Sequence, residues 1–252
     1  CFFNFSPIGI LRTGLASLLG VSNLYLIKQS SDYFAQSTEL NVFTQTWSLG
    51  VEEQFYILFP FLIWFTGFGR QTKKGSKNLF IVILFLATVS LFSFIYFYST
   101  NQIIAYFSMP TRFWEIAIGC ILYISQKHKS GLLEKCQNIP PILVFLVLIF
   151  ILFLPNSNPV TSTIGVVFLS VILISCLNKG TGLFLFFTRN KVIYIGLISY
   201  PLYLWHWGVL SISRWTIGVH WWSIPFQIIL ILLFSIFSYK YIETPLRIKQ
   251  WS

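Results

Sequence analysis

Charge is what this sequence has least of. Only 10% of its 252 residues are Asp, Glu, Lys or Arg, against about 25% in soluble globular domains. A chain 56% hydrophobic and 19% aromatic cannot clothe a soluble surface with so few charges. It carries several uncharged apolar runs long enough to cross a bilayer. Cysteine is nearly absent too. Cys1, Cys120, Cys136 and Cys176 form no CxxC pair, and two of them fall inside apolar runs. That argues against a disulfide framework or a zinc site and for small buried hydrophobes. No Gly-rich phosphate loop, metal-ligand spacing or GxSxG elbow occurs. No internal period of roughly 20–50 residues repeats, and no Pro- or Ser-rich linker divides the chain. The expectation is one all-α, polytopic membrane domain over residues 1–252, with no bound cofactor and no metal. The chain starts at Cys1 with neither an initiator Met nor a signal-peptide pattern, so further sequence upstream is expected.

The net charge of +10 invites a nucleic-acid reading. The basic residues, however, lie in short loops between apolar runs, which points to membrane topology and to no nucleic-acid partner. Eight candidate spans follow, at about 8–27, 47–67, 79–99, 104–124, 139–154, 161–177, 192–213 and 224–242. If all eight cross, the loops alternate between two sides. One side receives Arg70, Lys73, Lys74, Lys77, Lys127, Lys129, Lys135, Lys179, Arg189, Lys191, Arg247 and Lys249, and the other only Lys28 and Arg214. Positive charge is retained in the cytoplasm, so the rich side and both chain ends are expected there.

The polar residues inside the spans are the informative ones. Asp or Glu at a helix centre costs roughly 2.5–3.5 kcal/mol on insertion scales, so such residues usually face a bundle interior or a watery cavity. Glu52 and Glu53 sit in the second span, within TWSLGVEEQFYILFP at 46–60. Placement near a helix N-terminus, where the macrodipole favours negative charge, would also account for them. Arg112 and Glu115 in the fourth span are three residues apart and can pair on one helix face. Arg112 can instead hold a carboxylate bidentately, and a bridge to Glu52 or Glu53 is the favoured expectation, because adjacent carboxylates need a positive neighbour to stay ionised together. In the seventh span Ser199, Tyr203 and His206 share one face. An imidazole can take and return a proton near neutral pH. Trp205 and Trp207 around His206 also fit an interfacial aromatic belt. The topology puts Glu52, Glu53, Arg112, Glu115 and His206 in the outer parts of their spans, as one polar cavity would need. His128 and His220 fall in loops and take no role.

Four segments resemble one family. TWSLGVEEQFYILFP at 46–60, MPTRFWEIAIGC at 109–120, ISYPLYLWHW at 198–207 and YIETPLR at 241–247 are similar, in that order, to the signatures of the acyltransferase-3 family of integral membrane O-acyltransferases. The O-antigen acetylases of bacteria belong to it. The resemblance implies about ten membrane helices, each of about 20 apolar residues, two of which would precede Cys1. It also implies an Arg and a His in the family's first helix that match no position here, so the domain is expected to be N-terminally incomplete.

What the resemblance implies is transfer of an acyl group, most simply acetyl, from acyl-CoA to a hydroxyl of a cell-surface or exported polysaccharide, such as lipopolysaccharide O-antigen. The protein would sit in the bacterial cytoplasmic (inner) membrane, with the bilayer, acyl-CoA and a glycan as partners. Glu52, Glu53 and Arg112 would order the catalytic site, and Glu115 and His206 would support it. Trp47, Ser48, Tyr56, Ser199 and Tyr203 would contact substrate. A non-enzymatic glycan or lipid transporter, a structural subunit, or an inactive truncated remnant are the alternatives.

Overall fold

A computed structural model describes residues 7–30, 40–127, 139–153 and 159–248. Cys1, His128, Lys129, Lys135, Cys136 and Lys249 lie outside the described residues. Among those described, every regular element is helical and no strand occurs. Among the described residues three helices are long and apolar enough to cross a membrane: Lys73–Thr100 (α4), Pro159–Cys176 (α8) and the run Ile224–Ile248, with mean hydropathies of 2.6, 2.1 and 1.6. The last is built from Ile224–Ser238 (α12), a π-helical turn at Tyr239–Glu243 and Thr244–Ile248 (α13).

Three of the spans expected as single helices are interrupted. The first divides into Pro7–Leu18 (α1) and Ser22–Ser30 (α2). Gly20 adopts φ 67° between them, a conformation glycine reaches without steric cost. The Val21 amide bonds Ala16 O at 2.9 Å and the Gly20 amide bonds Ser17 O at 3.2 Å, the paired closure of a Schellman stop. The fourth span divides into Gln102–Phe107 (α5), capped by Asn101, and Met109–Lys127 (α6). Ser108 between them is extended, and Pro110 falls in the first turn of α6, where it is tolerated. The seventh divides into Asn190–Leu197 (α10) and Ser199–Trp215 (α11). The second is one helix, Trp47–Thr66 (α3), with Pro60 inside it. Its 20 residues reach about 30 Å, enough for a hydrocarbon core. Pro60 cannot donate to the Tyr56 carbonyl. The remaining helices are Pro141–Leu152 (α7) and Gly182–Phe187 (α9).

The chain forms two compact units, residues 1–50 with 189–252, and residues 51–188. The second is centred on α4 and α6. Leu79, Ile83, Ala87 and Phe94 of α4 recur at helical spacing and meet Phe113, Trp114, Ala117 and Ile124 of α6, with Phe55 of α3 and Ala105 of α5. Alanines at 87 and 117 let the backbones close up, which is how helices associate where lipid removes the hydrophobic drive. Ser90 accepts the Trp114 amide at 3.1 Å within that core. Cys120 and Cys176 form no disulfide among the described residues, and the Cys176 thiol donates to Leu173 O at 3.4 Å.

In the first unit, a 3-10 turn at Thr44–Thr46 leads into α3 and is tied down from several directions. Ser22 donates to Thr46 O at 2.8 Å, Ser17 and Thr46 share a hydrogen bond of 2.6 Å, and Asn41 donates to Thr13 Oγ1 at 2.8 Å. Thr13 and Ser17 are four apart, so α1 presents both on one face.

Candidate functional site

The candidate residues fall in both units. In the first, Ser48 near the start of α3 and Tyr203 of α11 meet. The Tyr203 hydroxyl donates to the Gln45 backbone carbonyl at 2.6 Å and lies 2.7 Å from Ser48 Oγ. A phenol has one proton and the Gln45 carbonyl can only accept. Ser48 is therefore the donor to Tyr203. His206 follows Tyr203 by three residues on the same face, ring centroids 5.5 Å apart. Its Nδ1 is 3.3 Å from Leu202 O. The carbonyl requires a proton on Nδ1, which in the neutral ring makes Nε2 the acceptor. Trp207 donates from Nε1 to Asn41 O at 2.9 Å, so its indole is a strut between α11 and the segment before α3. Trp47 opens α3 and is partly exposed. Ser199, at the first position of α11, is exposed.

Gln45 was not expected from its sequence context. It is 8% exposed, and its Nε2 donates to Leu204 O at 3.2 Å. Its Oε1 is buried and has no hydrogen-bond partner among the described residues. A buried carbonyl left unpaired costs roughly 1–3 kcal/mol. Asn41 and Thr46, both buried, complete this neutral polar cluster. The signal available in the sequence was the polar stretch NVFTQT at 41–46 directly before TWSLG.

In the second unit, Arg112 and Glu115 form an ion pair one helical turn apart on α6, with side chains 12% and 27% exposed. The guanidinium also donates from Nε to Tyr106 O at 3.2 Å and lies over the rings of Phe94 and Tyr106, at 5.4 and 5.0 Å from their centroids. The favoured bridge from Arg112 to Glu52 or Glu53 is not formed among the described residues; Glu115 takes the guanidinium instead. The physical reason lies in α3. Val51 and Phe55 carry its buried side, with Phe55 stacked on Phe59 at 5.1 Å and 5.6 Å from the Phe113 ring. That rotation leaves Glu52, Glu53 and Tyr56 exposed.

Comparison with known proteins supplies what geometry cannot. The model of the acyltransferase-3 family, described as an acyltransferase domain, matches residues 4–242. O-acetyltransferase OatA of Staphylococcus aureus strain NCTC 8325 is 30% identical over 260 residues, 96% of this chain. OatA of strain COL gives the same figures. The chain spans 42% of the length of these relatives. No solved structure matches it.

Proposed function

We propose, from the premise that this chain belongs to the acyltransferase-3 family of membrane O-acyltransferases, that it moves an acyl group, most simply acetyl, from acyl-CoA to a hydroxyl of a cell-surface or exported polysaccharide. The observation that carries the reading is the extent of the domain match, which takes in every candidate residue. The sugar oxygen bonds to the thioester carbonyl carbon, the thiolate of CoA departs, and the hydroxyl proton passes to a base. His206 Nε2, the acceptor nitrogen once Nδ1 faces Leu202 O, is a group able to hold that proton. Glu52 and Glu53 order the site on α3. Arg112, held by Glu115, offers a fixed cation to an oxyanion or to a carboxylate. Trp47, Ser48, Tyr56, Ser199 and Tyr203 contact substrate.

The same reading places the chain in the bacterial cytoplasmic membrane with eight crossings, some made by interrupted helices, and with both ends cytoplasmic. The interruptions agree with it, because non-helical backbone at membrane depth is tolerated where protein or a watery cavity surrounds it. The test is genetic and chemical. Disrupting the gene in its host lowers the alkali-labile acetate on the surface polysaccharide, and restoring it in full length returns the acetate. Unchanged acetate after disruption contradicts the proposal.

A further inference from the structure

We infer that Gln45 is a specificity residue for the acceptor, receiving a hydrogen bond from a sugar hydroxyl through its side-chain oxygen. The inference rests on the acyl-transfer reading above and names the part of the acceptor that reading leaves open. Three observations converge on it.

The amide is fixed in direction. Leu204 O, 3.2 Å from Nε2, can only accept, so the NH2 end faces it and the oxygen end faces the other way. Turning the amide over would set two carbonyl oxygens against each other. The oxygen so directed is buried without a donor among the described residues, on a residue more than nine-tenths buried. The natural complement of a bare carbonyl oxygen is a neutral O–H or N–H.

The surroundings select among such donors. Side chains around the turn are hydroxyls, amides and aromatic rings: Ser48, Tyr203, Asn41, Thr46 and Trp207. None carries a formal charge. Hydroxyls and amides with aromatic walls suit a sugar, and Arg214, the cation beside them, lies over the Trp207 ring at 5.3 Å. Ser48 adds a second point of contact. It donates to Tyr203, so its own oxygen keeps acceptor capacity for a neighbouring hydroxyl.

A site built to hydrogen-bond a hydroxyl rejects the analogue that lacks it, because the protein group is then left unpaired. The experiment uses membranes containing the full-length protein, acetyl-CoA and purified acceptor oligosaccharide, with the KM for each substrate measured separately. Gln45→Met is expected to raise the acceptor KM roughly tenfold or more, with the acetyl-CoA KM unchanged. Gln45→His, which keeps one N–H and one bare nitrogen, is expected to recover most of the acceptor affinity. With wild-type protein, the deoxy acceptor lacking the recognised hydroxyl loses as much as Gln45→Met does, and the two losses do not add. A rise in the acetyl-CoA KM alone would assign the oxygen to an amide N–H of the donor and overturn the inference. An unchanged acceptor KM in an active Gln45→Met protein overturns it as well, as does loss of both variants from the membrane. Absence of transfer by the wild type would instead overturn the function itself, and this inference with it.

Discussion

Tyr203 and Ser48 lie 155 residues apart in sequence and 2.7 Å apart in space. The contact joins two of the segments that carry the family resemblance, TWSLG and SYPLYLWHW. It is held by the Tyr203 bond to Gln45 O at 2.6 Å. Tyr203→Phe removes the donor to that carbonyl and the acceptor of Ser48. The expected loss is about 1–2 kcal/mol of stability, read as a lower unfolding midpoint in detergent, with reduced acyl transfer. Ser48→Ala removes the bond to Tyr203 and the longer contact with Gln45 O at 3.4 Å, leaves the Tyr203 bond to Gln45 O in place, and is expected to cost less. Wild-type midpoints and rates for Tyr203→Phe would show that the contact is idle.

Arg112 offers a test of which carboxylate matters to it. Its ion pair is with Glu115, and both side chains are largely buried. A double-mutant cycle of Arg112→Met with Glu115→Gln is expected to show a coupling of roughly 0.5–3 kcal/mol in protein stability. The cycles with Glu52→Gln and Glu53→Gln are expected to be additive. Strong coupling to either of those glutamates would overturn the local pairing.

Gly75 is fixed by a close approach rather than by its dihedral angles. A Cβ there would stand 2.5 Å from Gly67 O and 2.8 Å from Gly67 C, and backbone cannot turn aside as a side chain can. Overpacking of this kind typically costs about 1–3 kcal/mol. Gly75→Ala is expected to lower membrane abundance, with Gly119→Ala, where a Cβ meets nothing within 4 Å, as the neutral comparison.

The loop charges give an expected orientation that a reporter can test. A reporter in the turn at 67–72, which holds Arg70, is expected to read cytoplasmic. One in the turn at 216–223 is expected to read external. The reverse result at 67–72 would invert the proposed topology and with it the face proposed for acyl transfer.

The all-helical class was legible because composition decides it: so little charge leaves no soluble surface to build. The interruptions were not. Hydropathy averages over a window, whereas the stop at Gly20 depends on one positive φ and two capping bonds, and the break at Ser108 on one extended residue. The lone second-span helix was easier, since TWSLGVEEQFYILFP has no such stop. Among the site residues, Ser48 and Tyr203 were named from their motifs, and the structure brings them together. Gln45 was not, because the polar stretch NVFTQT marks the segment but not which side-chain oxygen ends up buried without a donor among the described residues. Pairing of Arg112 with Glu115 was one of two open readings. It prevailed because α3 turns Val51 and Phe55 inward, leaving Glu52 and Glu53 exposed.

The central claim is acyl transfer to a polysaccharide hydroxyl, and labelled acetyl-CoA tests it most directly. Membranes from cells making the full-length protein are incubated with the labelled donor and the host polysaccharide, and alkali-labile label on the polysaccharide is counted. Wild-type membranes are expected to label it. Glu53→Ala, at normal abundance, is expected to lower the rate by roughly a hundredfold, the scale of a misplaced reacting group. No label from wild-type membranes, or equal label from Glu53→Ala, would contradict the account.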